Sequence, residues 1–375
     1  MCVGAAFDPD VNLFSPVALG DLQLANRVAM APLTRMRAAA DGVPGDLIAE
    51  HYAQRASTGV IVTEGTFLDA ESRAYPGQPG IATDEQQAGW ARVAEAVHAR
   101  GGRLVMQLMH GGRVSHTAIT GTDRIVAPSA LAIAGQVYLP DGTKADFPVP
   151  HSLTTDEAAG VVDTFVAAAR RAIDAGLDGV EVHGANGYLL HEFLSPASNV
   201  RDDLYGGSPE NRARLVIDVV RAVAAEVGAG RVGLRISPMH NIQDAFETDV
   251  ADVEATYGAL VDAIRPLGLA YLSVLHAEPA GELVQGLRAR FGGPLMANSG
   301  FAVPTTRDEA TALVADGHAD VVAVGRAVLA NPDLVERWSA GTVENDPNPA
   351  TFYAVGATGY TDYPFLGEPV DAARV

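Results

Sequence analysis

Short runs rich in Val, Ile and Leu recur along the chain, each cut off by a polar or turn-forming residue and followed by a longer alanine-rich amphipathic stretch. The runs predict strands over 27–31, 60–64, 104–108, 179–183, 232–237, 270–275, 294–297 and 320–324. The intervening stretches predict helices, among them 85–100, 155–175, 209–227, 250–264 and 305–316. Helix punctuation agrees. Thr155 or Asp156 is placed to cap a helix that closes at Ala175-Gly176, and Ser208-Pro209-Glu210 puts proline at a first helical position with an acid in the first turn. Apolar strands alternating with helices imply a parallel sheet covered on both faces. Eight such units imply an α/β fold, a single (β/α)8 TIM barrel over 1–375. Residues 11–23 predict a small hairpin ahead of the first strand, placed to plug the barrel bottom. The stretch 111–151 is too long for an ordinary connection. With Pro128, Pro140, Pro148, Pro150 and the turn Asp141-Gly142, it is expected as a lid-like excursion over the barrel mouth after the third strand.

Composition narrows the class. The chain has 375 residues, 48% hydrophobic and 19% charged, as a folded globular protein requires. A net charge of -20 with no basic stripe argues against nucleic acid and against binding to an anionic membrane surface. The only cysteine, Cys2, allows no internal disulfide and no four-cysteine iron–sulfur cluster. No basic-then-apolar leader pattern stands at the start, and no run of about 18 apolar residues occurs anywhere, so a soluble cytoplasmic protein is expected.

Chemistry gathers at the predicted strand ends, which converge on one rim of a barrel. In order they supply Ala31-Pro32-Leu33-Thr34, then Glu64-Gly65-Thr66 with Tyr75 further on, then Gln107 and Met109-His110. Next come His183, Asn186 and Tyr188, then Arg235, then Asn298-Ser299-Gly300-Phe301, and last Gly325-Arg326. The final two sets suit an anion, because glycine lets backbone N–H groups approach a phosphate and arginine binds it bidentately. The rest are mainly neutral amides, hydroxyls and imidazole with one cation, a set suited to the edge of a flat heterocycle rather than to a metal. A histidine and an amide followed by a phenol suit a site that holds a polarisable oxygen and delivers a proton. Taken singly, His183 is an ordinary core histidine, Asn186 a turn residue and Tyr188 a packed core tyrosine; only the constellation favours a site. His191 reads as structural, and Met36, Met106 and Met296 as core filling.

These motifs together resemble the old yellow enzyme family, flavin-dependent ene-reductases on a (β/α)8 barrel. The resemblance is carried by Met30-Ala31-Pro32-Leu33-Thr34-Arg35, by Gln107-Leu108 with His110-Gly111-Gly112-Arg113, and by His183 through Pro196. Tyr205-Gly206-Gly207-Ser208-Pro209-Glu210-Asn211-Arg212 and Val324-Gly325-Arg326 with Ala330-Asn331-Pro332-Asp333-Leu334 belong to it too. The resemblance implies tightly but non-covalently bound FMN at the barrel mouth, contacted by Ala31, Pro32, Leu33, Thr34, Gly65, Gln107, His183 and Arg235. Thr34 would face flavin O4, Gln107 the pyrimidine edge and Arg235 N1 and O2, while Ser299, Gly300, Gly325 and Arg326 would hold the phosphate. It implies NADPH as reductant and a small α,β-unsaturated carbonyl acceptor bound by His183 and Asn186, lined by Tyr75 and Met109, and protonated by Tyr188 after hydride transfer from flavin N5. Met109 stands where many relatives carry tryptophan, which predicts a roomier pocket. Reduction of quinones or nitro compounds, a dedicated biosynthetic step or a desaturase are alternatives on the same scaffold, and a monomer or a homodimer is compatible with it. A cofactor-free lyase or isomerase barrel would want a rim lysine or carboxylate base, and the only lysine, Lys144, lies in the excursion.

Overall fold

A computed structural model describes residues 11–300 and 303–368. Cys2 and Phe301 lie outside them.

The predicted runs form a ring of parallel strands: Val28–Met30, Val60–Val62, Leu104–Met109, Gly179–Gly184, Val232–Ile236, Tyr271–Leu275, Leu295–Asn298 and Val321–Val324. Each pairs with the next, and Val322 of the last pairs with Val28 of the first, which closes the barrel. Closure leaves no open edge and buries both faces of every strand, which is why the runs are continuously apolar instead of alternating. Helices between the strands form the outer layer.

Local chemistry sets the element bounds. The helix Thr155–Asp174 is capped one residue earlier than expected, by Thr154. The Thr154 hydroxyl accepts from the Glu157 N–H, and the Glu157 carboxylate accepts from the Thr154 N–H, so this capping box outcompetes Thr155 and Asp156. Ser208 caps Pro209–Val227 as expected, with Pro209 in the first turn. The early hairpin pairs Val17–Leu19 with Leu22–Leu24, later than 11–23. Its Leu19, Leu22 and Leu24 pack on Val60, Val105, Met296 and Val321 inside the barrel, so it closes the bottom.

The 111–151 segment contains a short helix, Thr117–Thr120, and a hairpin of Gln136–Tyr138 with Lys144–Asp146. Its Ile133 and Phe147 pack with Met109, Tyr75 and Tyr188, which puts it over the barrel mouth. Met106 and Met296 are buried core. Met36 is not: it is half-buried, with a left-handed φ of 59°, and serves a turn. Among the described residues no helix is long and apolar enough to cross a membrane.

Candidate active site

The fourth strand ends on His183-Gly184, with His183 in register with Arg235 of the fifth. The chain then turns through Asn186, held at φ 60°, a region asparagine tolerates better than most residues. The Asn186 N–H donates to Ser237 Oγ at 2.8 Å, and the Gly187 N–H donates to His191 Nδ1 at 2.8 Å. Gly187 has φ 78°, and a Cβ there would stand 2.8 Å from Gln243 Cβ, so only glycine fits the turn. His191 is fully buried and faces Glu247 at 3.3 Å; it braces the turn and stays outside the pocket. Tyr188 occupies the N-cap of Leu189–Leu194 without a side-chain capping bond. Its hydroxyl lies 2.8 Å from that of Tyr75, and its ring centroid 5.3 Å from the His183 ring.

Burial sets the protonation of this trio. Burial first, then the charge of Arg235 and the neighbouring His191 ring, hold the His183 imidazole well below its ordinary range, so it is neutral. Burial, then Tyr75, pushes the Tyr188 phenol well up, so it keeps its proton. His183 Nδ1, Asn186 Oδ1 and Arg235 Nε are buried with no hydrogen-bond partner among the described residues. Buried polar groups are nearly always paired, so three orphans around one rim point to partners outside the chain.

Below the rim, Gln107 donates through Nε2 to Glu181 Oε1 at 2.8 Å, while its own N–H donates to Thr63 Oγ1 at 3.1 Å. Arg235 donates to Ser273 Oγ at 3.4 Å and to Asn298 Oδ1 at 3.2 Å. The Asn298 amide donates to Ala323 O at 2.8 Å. Ala31 is buried, and its N–H donates to Val324 O at 3.0 Å, which ties the first rim loop to the eighth strand. Pro32, Leu33 and Thr34 are half-buried at the rim. Behind Thr34, Glu64 Oε2 accepts from both the Arg35 N–H (2.9 Å) and the Met36 N–H (3.1 Å).

On the far side, Ser299 Oγ meets Thr305 Oγ1 at 2.8 Å. Gly300 adopts φ 109°; among the described residues a Cβ there would meet only Leu275 Cδ1, at 3.8 Å, and one on Gly325 only Leu33 Cδ2, at 3.5 Å. The ground in front of both glycines is thus open to a ligand. Gly325 caps Arg326–Ala330, and Arg326 is half-buried. Gly65 differs: a Cβ there would lie 2.5 Å from Met109 Sδ, so it makes room for Met109. His240 is half-buried on the loop after the fifth strand.

Strand-end reasoning therefore found residues that the fold does bring together. It missed Glu181, Gln243, Ile133 and Phe147. A charged residue inside the apolar run Val180-Glu181-Val182 was a usable signal, since carboxylates are almost never fully buried without a partner. Ile133 and Phe147 carried none, because nothing in the excursion marks which apolar residues fold inward.

The donor set suits a flat heterocycle with an anionic tail, and beside it an acceptor oxygen under His183 and Asn186. The model of the NADH:flavin oxidoreductase / NADH oxidase family matches residues 12–345. A Leishmania infantum protein named a probable flavin mononucleotide-dependent alkene reductase is 41% identical, over 94% of this chain and 97% of its own. 12-Oxophytodienoate reductase 7 of Oryza sativa subsp. japonica is 37% identical, over 95% of each. Among solved structures, morphinone reductase superposes with a TM-score of 0.89 at 43% identity, over 96% of this chain and 98% of its own. The old yellow enzyme homologue from Zymomonas mobilis gives 0.90 at 36%, over 95% and 100%.

Proposed function

The chain belongs to the NADH:flavin oxidoreductase / NADH oxidase family, that of the old yellow enzymes, and we propose how its own residues perform ene reduction. It is an FMN-dependent oxidoreductase that saturates activated C=C bonds of small electron-poor acceptors with a nicotinamide nucleotide, NADPH in our reading, as reductant. One barrel domain carries the whole activity. When bound, FMN supplies the hydride for the β carbon.

The chain's part is aim and electrostatics. Thr34, Gln107 and Arg235, with Ala31, Pro32, Leu33 and Gly65 around them, hold the ring. Ser299, Gly300, Gly325 and Arg326 hold the phosphate. His183 and Asn186 donate to the acceptor's carbonyl oxygen, drawing charge away from the alkene and stabilising the enolate as it forms. Tyr188 then gives its proton to the α carbon, and Tyr75, at 2.8 Å, supports the phenolate left behind. Met109, Tyr75, Ile133 and Phe147 wall the pocket and exclude water.

The observation that carries this reading is the pair of buried nitrogens, His183 Nδ1 and Arg235 Nε, that find no partner among the described residues around one rim. The protein purified without added cofactor is expected to be yellow with flavin absorption bands. His183→Ala is expected to keep its flavin yet bind phenols and enones at least about tenfold more weakly, the scale of one lost hydrogen bond to a ligand. A colourless protein that takes up no FMN sinks the flavin assignment. Unchanged affinity in His183→Ala removes that residue from the carbonyl site.

A further inference from the structure

Glu181 is fully buried inside the barrel, where an unpaired carboxylate is costly. It lies two residues before His183, so both side chains point to the same face, Glu181 about 7 Å deeper. Strand register places Gln107 directly opposite on one side and Gly233 on the other. Gly233 is in register with Tyr271, and a Cβ on Gly233 would fall 2.3 Å from the Tyr271 ring. The missing side chain is what lets that ring cross the barrel interior and carry its hydroxyl toward Glu181.

Two consequences reach the rim. The Gln107 Nε2 is held by Glu181 Oε1 at 2.8 Å, and a planar amide held by its nitrogen presents its oxygen on the other side. Arg235 is 3% exposed, and Glu181 is the principal negative charge acting on it. The two are not in contact, yet in a dry interior charges act well beyond contact distance.

We propose that Glu181 is a positioning residue for the flavin: it orients the Gln107 amide and, as a carboxylate, offsets the Arg235 charge, and thereby sets the reduction potential of the bound ring. This rests on the reading that Gln107 and Arg235 face the ring edge. Burial raises the carboxyl's proton affinity above its ordinary value, and Arg235, Gln107 and Tyr271, the groups turned toward it, hold that rise back.

Glu181→Gln isolates the charge, because the new amide oxygen still accepts from Gln107. With Arg235 no longer offset, the reduced ring is favoured. At a fixed potential the ratio of reduced to oxidised FMN in the holoprotein, read by dye-calibrated spectroscopic titration, is expected to rise about tenfold, or ~30 mV for a two-electron couple. Glu181→Asp keeps the charge and is expected to move the ratio less than about threefold, and Arg235→Met is expected to lower it. If Arg235→Met changes nothing, the placement of Arg235 at the ring is wrong. If Arg235→Met lowers the ratio and Glu181→Gln leaves it unchanged, the inference alone fails. Redox-difference infrared spectra of the wild-type holoprotein with 13C-labelled glutamate need no variant to fold. A carboxylate band that shifts on flavin reduction is expected; a carboxylic-acid band in its place, or no glutamate band, overturns the proposal.

Discussion

Tyr188 shows how much one residue's surroundings decide. A tyrosine at a helix N-cap ordinarily points to solvent; this one is folded back beneath the excursion, 8% exposed and bonded to Tyr75. Burial pushes its titration well above the ordinary phenol range, so the proton-bearing form persists across neutral pH. His183, held well below its usual range by burial, Arg235 and His191, stays neutral over the same interval, and Asn186 does not titrate. Proton delivery and carbonyl binding are therefore expected to be flat between roughly pH 6 and pH 9. Tyr188→Phe removes the proton donor and leaves the ring in place. Reoxidation of the reduced flavin by an enone is expected to slow by about 10²–10⁴, the usual weight of a general acid, while reduction by NADPH is spared. Stopped-flow measurement of the two half-reactions separates them. Equal slowing of both would mean a distorted pocket, and slowing of neither would free Tyr188 of the role.

At the scale of elements, the loop after the first barrel strand is shaped by residues far from it. Glu64 stands just past the second strand and caps two successive N–H groups, those of Arg35 and Met36. That fixes the left-handed turn at Met36 and with it the approach of Pro32, Leu33 and Thr34 to the rim. From the other side the C-terminal segment locks the same loop: Arg35 donates to Gly359 O, and Tyr360 stacks on His51 with ring centroids 3.8 Å apart. Glu64→Leu leaves one buried and one partly buried N–H unpaired and is expected to destabilise the protein by roughly 1–4 kcal/mol and to release flavin, whereas Glu64→Gln, which keeps an acceptor, retains it. Thermal melts followed by flavin fluorescence read both effects; a Glu64→Leu protein that melts and holds flavin as the wild type does refutes the role. This loop also shows where the sequence stops being legible. The barrel strands could be read because buried parallel strands are apolar throughout, and Thr34, Gln107, His183 and Arg235 because strand ends converge on one rim. The fully buried Arg35, Arg55 and Arg113 gave no such sign, since their partners are largely backbone carbonyls remote in sequence: Gly359 O, Val328 O and Gln243 O. A carbonyl is the same group in every residue, so no pattern of side chains announces it.

Across the whole molecule, Glu192 and Arg113 together join three segments that roof the site. Glu192 Oε1 accepts from the Arg113 N–H at 2.9 Å, and the Arg113 guanidinium donates to Leu131 O and Gln243 O, both at 3.0 Å. The helix Leu189–Leu194, through Glu192, and the loop after the fifth strand, through Gln243 O, thus meet the excursion at Arg113. A Cβ on Gly112, at φ 58°, would fall 2.2 Å from that carboxyl oxygen, so the junction leaves no room to shift away from it. Burial pushes the Glu192 carboxyl up to about 8, against the pull of Arg113. In the unfolded chain it titrates near 4.3. Between those values the folded protein holds a proton that the unfolded chain has released, so Glu192 lowers stability as pH rises and levels off above its folded value. Below about 6.5 the buried His51, His110 and His183, all held down by burial, act the other way, because the unfolded chain then binds protons they refuse. From pH 6.5 to about 8 those histidines act little and Glu192 is expected to cost about 2 kcal/mol; Glu64 and Glu181, which burial also raises, act in the same direction, so a variant is needed to separate the Glu192 share. Glu192→Gln keeps an acceptor for the Arg113 N–H and cannot ionise, so the fall of the denaturation midpoint across that window is expected to flatten in the variant. The same fall in both proteins would place the responsible proton elsewhere and leave the roof's junction neutral in its effect on stability.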